Sequence, residues 1–314
     1  MCLRIPMAVP DGLLGLRSWR RLQSLADDLR TGGHPWALFL GAGLSSAAGL
    51  LGWEAFIRAA ANQFDVGCPP PGYLHEDLFP RLAQECHDAA PTPAHFWRMV
   101  EDEYCRHDVP APDPLRQLMG LPFELYVTTN FDCLAETPHD GLDGVPVPRS
   151  LAYPDINAVD LHSRRLVFLH GRCRCGAEPG HRLDGHEIVL TEDGYDLAYS
   201  PNTTLENAID AIFSKYNVLM VGAGLSDRPI QAVLDVVRQR EKSRERLTGK
   251  VEPVRRYAIV ASRWAPDGDD DDSLDKWRGM AFRIEPIFYF NGPGENHEDL
   301  PKVTGHLSKL VLGA

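Results

Sequence analysis

Long apolar runs and an excess of basic charge are both absent from this sequence. No stretch approaches the roughly 20 apolar residues that a membrane-spanning helix needs, and residues 1–10 contain no apolar run of signal-peptide length. Acidic residues number 44 against 32 Lys and Arg, a net charge of −12. Contacts to nucleic-acid phosphates need clustered cations. We therefore expect neither a membrane nor a nucleic acid as a partner.

A cysteine framework is absent as well. The seven cysteines are an odd number and are scattered along 314 residues, a length that needs no disulfides for stability. This usage predicts reduced thiols and a cytoplasmic location. The remaining composition, 44% hydrophobic and 24% charged, is typical of a globular protein.

Short apolar runs alternate with helical patterns along the chain. The helical spacing of apolar residues predicts helices over 13–29, 205–213 and 230–237. Most of the apolar runs are apolar on both faces, as buried parallel strands are. We therefore predict a single α/β domain over 1–314, with a doubly wound, mostly parallel, Rossmann-like sheet. Its strands are predicted at 36–40, 125–128, 166–169, 218–221, 257–261 and 286–290.

The segment between the first two predicted strands is too long for one crossover helix. Helical patterns over 53–64, 78–86 and 96–104 are separated by proline-rich turns. Residues 52–120 are therefore predicted to form a helical insertion, a lobe over the sheet edge. A shorter, irregular insertion is predicted at 172–187.

Two glycine turns follow predicted strands. Gly41-Ala42-Gly43 follows the first strand, and Gly222-Ala223-Gly224 follows the fourth. We expect both turns to face one crevice, since open α/β sheets bind ligands at the carboxyl ends of their strands. The third glycine of the dinucleotide fingerprint is replaced by Ser46, which does not favour a dehydrogenase. Close helix packing explains such glycines equally well.

Two polar segments end the second and third strands. They are Thr129-Asn130-Phe131-Asp132 and His170-Gly171. Taken alone, the first is explained by turn capping and the second by a packed loop histidine. Together with the first glycine turn, at one edge of the sheet, they are typical of a catalytic constellation.

In this order, segments 41–45, 129–132 and 170–171 resemble the sirtuin core, and 221–227 resembles its second nucleotide loop. The resemblance covers nearly the whole chain and is nearest to sirtuin-like NAD hydrolases of bacterial anti-phage defence. It implies NAD+ as substrate and Asn130 and His170 as catalytic residues. It also implies the residues that bind NAD+: Gly41, Ala42, Gly43 and Ser45 at the diphosphate, Gly222 and Ser226 at the adenosine side, Thr129 in place of the usual ribose-contacting Gln, and the Phe131 backbone and Asp132 at the nicotinamide carboxamide.

The chain departs from the deacylase sirtuins, which carry a zinc ribbon of two CxxC pairs. Here Cys173-x-Cys175 is followed by His181 and His186, which is not a structural zinc spacing. We expect no zinc or other metal. Residues 50–54 also replace the Pro-Asp-Phe-Arg segment of those enzymes. Without the zinc lobe, one wall of the acyl-peptide groove is missing, so the resemblance implies hydrolysis of NAD+ to nicotinamide and ADP-ribose.

Two other functions stay open. One is an NAD-dependent protein deacylase or ADP-ribosyltransferase, and the other is a non-catalytic sensor that binds NAD or ADP-ribose. Asn130 and His170 favour an enzyme, because binding alone needs neither. An unrestrained NAD hydrolase would empty the cofactor pool of the cell. We therefore expect activation by a partner protein or by homo-oligomerisation, with 52–120 as the contact surface.

Overall fold

The computed structural model describes residues 12–70, 73–106, 108–136, 148–162, 164–173, 183, 186–200, 203–223, 225, 227–249, 254–262, 278–290 and 297–313. Within these ranges, seven parallel strands form one sheet in the order β3-β4-β2-β1-β5-β6-β7. The strands are β1 (Trp36–Leu40), β2 (Leu125–Thr128), β3 (Arg149–Ala152), β4 (Arg165–Phe168), β5 (Asn217–Val221), β6 (Arg256–Ser262) and β7 (Glu285–Phe290).

Helices precede, connect and follow these strands. Among the described residues they are α1 (Leu16–Thr31), α2 (Ala42–Ala47), α3 (Trp53–Gln63), α4 (Phe79–Ala89), α5 (Pro93–Tyr104), α6 (Asp113–Met119), α7 (Glu192–Ala198), α8 (Thr204–Lys215), α9 (Arg228–Thr248) and α10 (Leu300–Leu312). Short 3-10 turns lie at Glu76–Leu78, Ala158–Asp160 and Arg278–Phe282. Within the described residues, no helix combines the length and apolarity needed to cross a membrane.

The central strand is β1, which pairs with β2 on one side and β5 on the other. From β1 the sheet grows through β2 to β4 and β3, and the chain then returns to build β5, β6 and β7. The return creates a switch point between β1 and β5, where such sheets form a crevice. The predicted doubly wound parallel sheet is thereby confirmed.

Helices cover both faces of the sheet. Leu38 and Leu40 of β1 pack with α1, α10 and the helices between β1 and β2. Ala37 and Phe39, which alternate with them, pack with α8 and α9 on the other face. Burial on both faces explains why the strands read as uninterrupted apolar runs.

The sequence predictions of individual elements differ from the structure in a few places. β3 was not predicted, because it is an edge strand with partly exposed residues rather than an apolar run. The three helices predicted within 52–120 are confirmed as α3, α4 and α5, and α6 follows them. The prediction of reduced thiols throughout is wrong at Cys133, which is disulfide-bonded, whereas Cys68, Cys86, Cys105 and Cys173 are free.

Candidate active site

A cleft of about 760 Å³ opens at the carboxyl ends of β1 and β5. Gly41 and Ala42 line it from the first glycine turn, and Gly222 and Ala223 line it from the second. His170, after β4, also lines it. The expectation that both turns face one crevice is confirmed. The volume falls within the roughly 300–1,000 Å³ typical of small-molecule sites.

The two glycine turns contact each other backbone to backbone. The Gly41 amide donates to the Val221 carbonyl at 2.9 Å, and the Gly43 amide donates to the Gly222 carbonyl at 3.0 Å. A Cβ on Gly41 would lie 2.4 Å from the Gly222 oxygen, and Gly222 itself has a φ of +70°. Glycine is therefore required here for close packing as well as for conformation. The amides of Gly41 and Gly43, expected at the diphosphate, already donate to protein carbonyls.

His170 is almost completely buried, with 2% of its surface exposed. Its Nε2 lies 2.7 Å from the Tyr199 hydroxyl and 3.5 Å from Asp227 Oδ2. Gly171 follows with a φ of +83°, and a Cβ there would lie 1.8 Å from the Glu187 carbonyl oxygen. Only glycine fits this position, which explains the His-Gly pair in terms of the fold.

Two tyrosines of the α7 region surround the imidazole. Tyr195 and Tyr199 both meet it edge to face, at centroid distances of 5.3 and 5.8 Å, and they stack on each other. The Tyr195 hydroxyl donates to Asp227 Oδ2 at 3.0 Å. Burial lowers the pKa of His170, and the negative charge of Asp227 opposes this shift. The imidazole is therefore held neutral in a nearly dry setting.

Asn130 belongs to a separate chain of hydrogen bonds beneath the first glycine turn. Its Nδ2 donates to the Gly41 carbonyl at 3.0 Å and to Ser45 Oγ at 2.8 Å, and Ser45 Oγ donates to Asp132 Oδ2 at 2.6 Å. The direction is fixed because a carbonyl can only accept. Asp132 also accepts from the Leu134 amide, and although burial raises its pKa, these bonds oppose the shift.

The structure thus divides the site residues predicted from the sequence. Those that line the cleft are Gly41, Ala42, Thr129, His170 and Gly222. Three others are buried in the packing around the cleft, namely Ser45, Phe131 and Asp132. Gly43 and Asn130 are half-buried and are not among the residues that line it. The Phe131 carbonyl accepts from the Cys173 amide at 2.7 Å. Ser226 lies outside the described residues.

Asn130 and His170 follow adjacent strands of the sheet, but their side chains have different surroundings. Each follows by two positions a residue of the parallel pair Thr128–Phe168 that joins β2 to β4. The Asn130 amide bonds to the glycine turn, whereas the imidazole bonds to Tyr199. Of the two, His170 is among the described residues that line the cleft, and Asn130 is half-buried.

The outer wall of the cleft comes from the helices between β1 and β2. Trp53 of α3 stacks on Phe79 of α4 at 5.9 Å and contacts Phe131. Six of the described residues that line the cleft are carboxylates, namely Glu54, Glu76, Asp77, Glu192, Asp196 and Asp227. Arg228 is the sole Lys or Arg among the described residues that line it, and it pairs with Asp77. It begins α9, whose positive dipole end faces the cleft.

The candidate metal ligands after β4 are only partly described. Cys173 is buried and His186 is exposed, while Cys175 and His181 lie outside the described residues. In the described part of the chain, no group of three or more His, Cys, Asp or Glu residues is arranged to hold a metal ion.

Several residues of the cleft were not predicted as site residues. Tyr195 lies in a short helix that shows no strong apolar period, and Tyr199 directly follows that helix. Trp53 was predicted only as the start of a helix and as part of segment 50–54. Asp227 was not predicted as a site residue either, and it caps α9 by accepting from the Ile230 amide at 3.3 Å. Its place after a strand-and-turn segment was the available signal for a second role.

Comparison with known proteins places this geometry in a family. A family model described as a SIR2-like domain matches residues 124–284, which include Asn130, His170 and Gly222. Defense-associated sirtuin 2 of Bacillus subtilis is 26% identical over 210 residues, which cover 65% of this chain and 19% of that protein. The chain thus matches about a fifth of the length of that relative. Because the family model covers just over half of the chain, this protein belongs to the SIR2-like family.

Proposed function

We propose that this protein is an NAD+ glycohydrolase, which cleaves the bond between nicotinamide and ribose and releases nicotinamide and ADP-ribose. The observation that carries the proposal is the neutral, nearly buried imidazole of His170 beside a cleft between two glycine turns. Membership of the SIR2-like family supports NAD+ as the substrate.

The charges of the cleft match the two ends of NAD+. The diphosphate is anionic, and its side of the molecule fits the amino end of α9 with Arg228. The carboxylates of the insertion, such as Glu54 and Glu76, lie on the outer wall and would repel the diphosphate. They suit the cationic nicotinamide ring instead, and Trp53 offers an aromatic face beside them.

For this reaction the protein has to position NAD+ and a water molecule and to accept one proton. The C1′–N bond breaks, its electron pair leaves with nicotinamide, and positive charge develops on the ribose. A water oxygen bonds to C1′ and gives up a proton, for which neutral His170 is the acceptor. A site shielded from bulk water keeps this group neutral at cellular pH.

Asn130 is proposed to orient the ribose and the attacking water. Its Nδ2 is committed to Gly41 and Ser45. Its Oδ1 accepts no hydrogen bond from the described residues, so an acceptor is left for a hydroxyl or a water. Ser45 and Asp132 hold the amide in place, which is a positioning role rather than the diphosphate and carboxamide contacts expected from the sequence.

Hydrolysis is favoured over transfer to a protein. The imidazole is 2% exposed and is covered by Tyr195 and Tyr199, so water reaches it more easily than an acyl-lysine peptide would. The similarity to Defense-associated sirtuin 2 supports a role in bacterial defence against phage. We further propose that a partner protein or self-association activates the enzyme through segment 52–120, where Tyr73 is 73% exposed.

The test is to incubate the purified chain with NAD+ and to separate nicotinamide and ADP-ribose by chromatography. The chain is assayed alone at high concentration and with the products of neighbouring genes. We expect release of both products, and we expect Asn130→Ala and His170→Ala each to abolish it without unfolding the protein. Asn207→Ala and His34→Ala remove the same residue types outside the cleft and serve as matched controls.

Other outcomes assign the protein to another class. Turnover that requires an acylated peptide, or label from NAD+ that appears on protein, indicates a deacylase or an ADP-ribosyltransferase. Binding of NAD+ or ADP-ribose without nicotinamide release under any condition indicates a sensor. Full activity of a dilute, verified monomer without a partner contradicts the proposed mode of activation.

A further inference from the structure

The surroundings of His170 contain a carboxylate and two hydroxyls that the proposed reaction does not yet use. Asp227 Oδ2 lies 3.5 Å from the imidazole Nε2, the same atom that the Tyr199 hydroxyl meets at 2.7 Å. No hydrogen bond joins Nδ1 to any of the described residues. One nitrogen of the ring is thus held by the protein, and the other is bonded to none of the described residues.

We infer that Asp227 and Tyr195 are positioning residues that fix His170 with its proton on Nε2, so that Nδ1 accepts the proton in the reaction. This inference rests on the proposed function for its catalytic part, and on geometry alone for its structural part. A neutral imidazole carries one N–H, and the nitrogen that carries it is set by the partner of the ring. A carboxylate beside Nε2 attracts an N–H there and repels a lone pair.

The carboxylate is itself held firmly. Asp227 Oδ1 accepts from the Ile230 amide at 3.3 Å, which caps the first turn of the 21-residue helix α9. Asp227 Oδ2 accepts from the Tyr195 hydroxyl at 3.0 Å. Helix capping alone would explain an aspartate at this position, but it uses only one oxygen. The second oxygen faces Tyr195 and His170.

Tyr195 links the carboxylate to the ring. Its hydroxyl donates to Asp227, and its ring meets the imidazole edge to face at 5.3 Å. Burial, followed by the charge of Asp227, raises the pKa of Tyr195 and of Tyr199 well above the usual range, so both stay protonated. Tyr195, Tyr199 and Asp227 are the titratable side chains that the structure places against His170 among the described residues.

Asp227→Asn separates the two roles of this residue, which are to cap α9 and to orient His170. Asparagine is as good a helix cap as aspartate, so α9 keeps its first turn. The amide nitrogen then takes the place of Oδ2 and offers an N–H to the imidazole, which should draw the ring proton to Nδ1. Tyr195→Phe keeps the ring contact and removes only the hydroxyl that orients the carboxylate.

The experiment measures both the protonated nitrogen of the His170 ring and the rate of nicotinamide release. In the full chain labelled with ¹⁵N-histidine, NMR reports which nitrogen of each imidazole carries the proton, and His170→Gln identifies the His170 signals. We expect the Nε2–H form in the wild type and the Nδ1–H form in Asp227→Asn. We also expect kcat for nicotinamide release to fall about a hundredfold or more in Asp227→Asn and about tenfold in Tyr195→Phe, with KM within about threefold.

A matched control is available at another part of the fold. Asp28 accepts from the Tyr257 hydroxyl at 2.8 Å and is similarly buried, so Asp28→Asn removes the same kind of charge and bond away from the cleft. It should leave the His170 ring form and kcat unchanged. An unchanged Nε2–H form in Asp227→Asn, or a kcat within threefold of the wild type, overturns the inference. If the wild type releases no nicotinamide at all, the proposed function fails, and the NMR result still decides the positioning role.

Discussion

Replacement of Gly171 by alanine tests the backbone geometry that delivers His170 to the cleft. The residue has a φ of +83°, and a Cβ there would lie 1.8 Å from the Glu187 carbonyl oxygen. Real Cβ atoms do not approach an oxygen closer than about 3 Å, so the two segments must separate by more than about 1 Å. The segment that must move carries the Val189 amide, which donates to the His170 carbonyl at 2.9 Å.

The cost can be worked out in two parts. A left-handed conformation costs an alanine about 1–2 kcal/mol, and the loss of the buried Val189–His170 hydrogen bond costs about 1–3 kcal/mol. We therefore expect Gly171→Ala to lower the free energy of unfolding by about 2–5 kcal/mol. Gly49 has a φ of +88° with nothing within 4 Å of an added Cβ, so Gly49→Ala carries only the conformational part, about 1–2 kcal/mol.

Urea unfolding of the two variants isolates the contact. Alanine reduces the entropy of the unfolded chain equally in both, so this contribution cancels in the comparison. We expect Gly171→Ala to be less stable than Gly49→Ala by about 1–3 kcal/mol and to lose nicotinamide release, while Gly49→Ala keeps it. Equal free energies of unfolding would show that residues 187–189 can move away from Gly171 at little cost, and would contradict the tight packing described around the His-Gly pair.

Two further predictions concern charge in the cleft. Arg228→Ala removes the sole Lys or Arg among the described cleft-lining residues and should raise KM for NAD+ about tenfold with little change in kcat, as measured by initial rates; an unchanged KM would place the diphosphate elsewhere. The pKa of His170 is lowered by burial, so below about pH 6.5 the unfolded chain binds a proton more readily than the folded one, and the wild type loses stability as pH falls through this range. His170→Gln should lack this loss. In urea unfolding from pH 7.5 to 5.5, the free energies of unfolding of the two proteins should therefore converge. Free energies that change in parallel with pH would contradict the burial of the imidazole.

Most of the sheet was predictable because its strands are buried on both faces. Five apolar runs and one proline-led run each mark a strand to within one residue. β3 was not predicted because an edge strand with an exposed arginine shows no continuous apolar run. Tertiary contacts, rather than local sequence preference, place it in the sheet.

The location of the candidate site was predictable, whereas its inner contacts were not. Parallel strands end at one edge, so polar residues after β1, β2 and β4 had to gather there. The hydroxyl of Ser45 sits between Asn130 and Asp132, 85 and 87 positions away, and Tyr199 reaches His170 from a short helix. Partners so distant in sequence leave no local pattern, and only the fold brings them together.

The central position of β1 has a consequence for dissection of the protein. The family model begins at residue 124, after β1 and the first glycine turn, yet β1 supplies the pairing edge for both β2 and β5. An excised 124–284 fragment would leave one edge each of β2, β5 and β6 open to water, because it lacks β7 as well as β1, and would be prone to aggregate. A 12–123 fragment should instead rescue a 124–313 fragment, which keeps β7 and α10, so these two pieces form a natural pair for split-protein complementation.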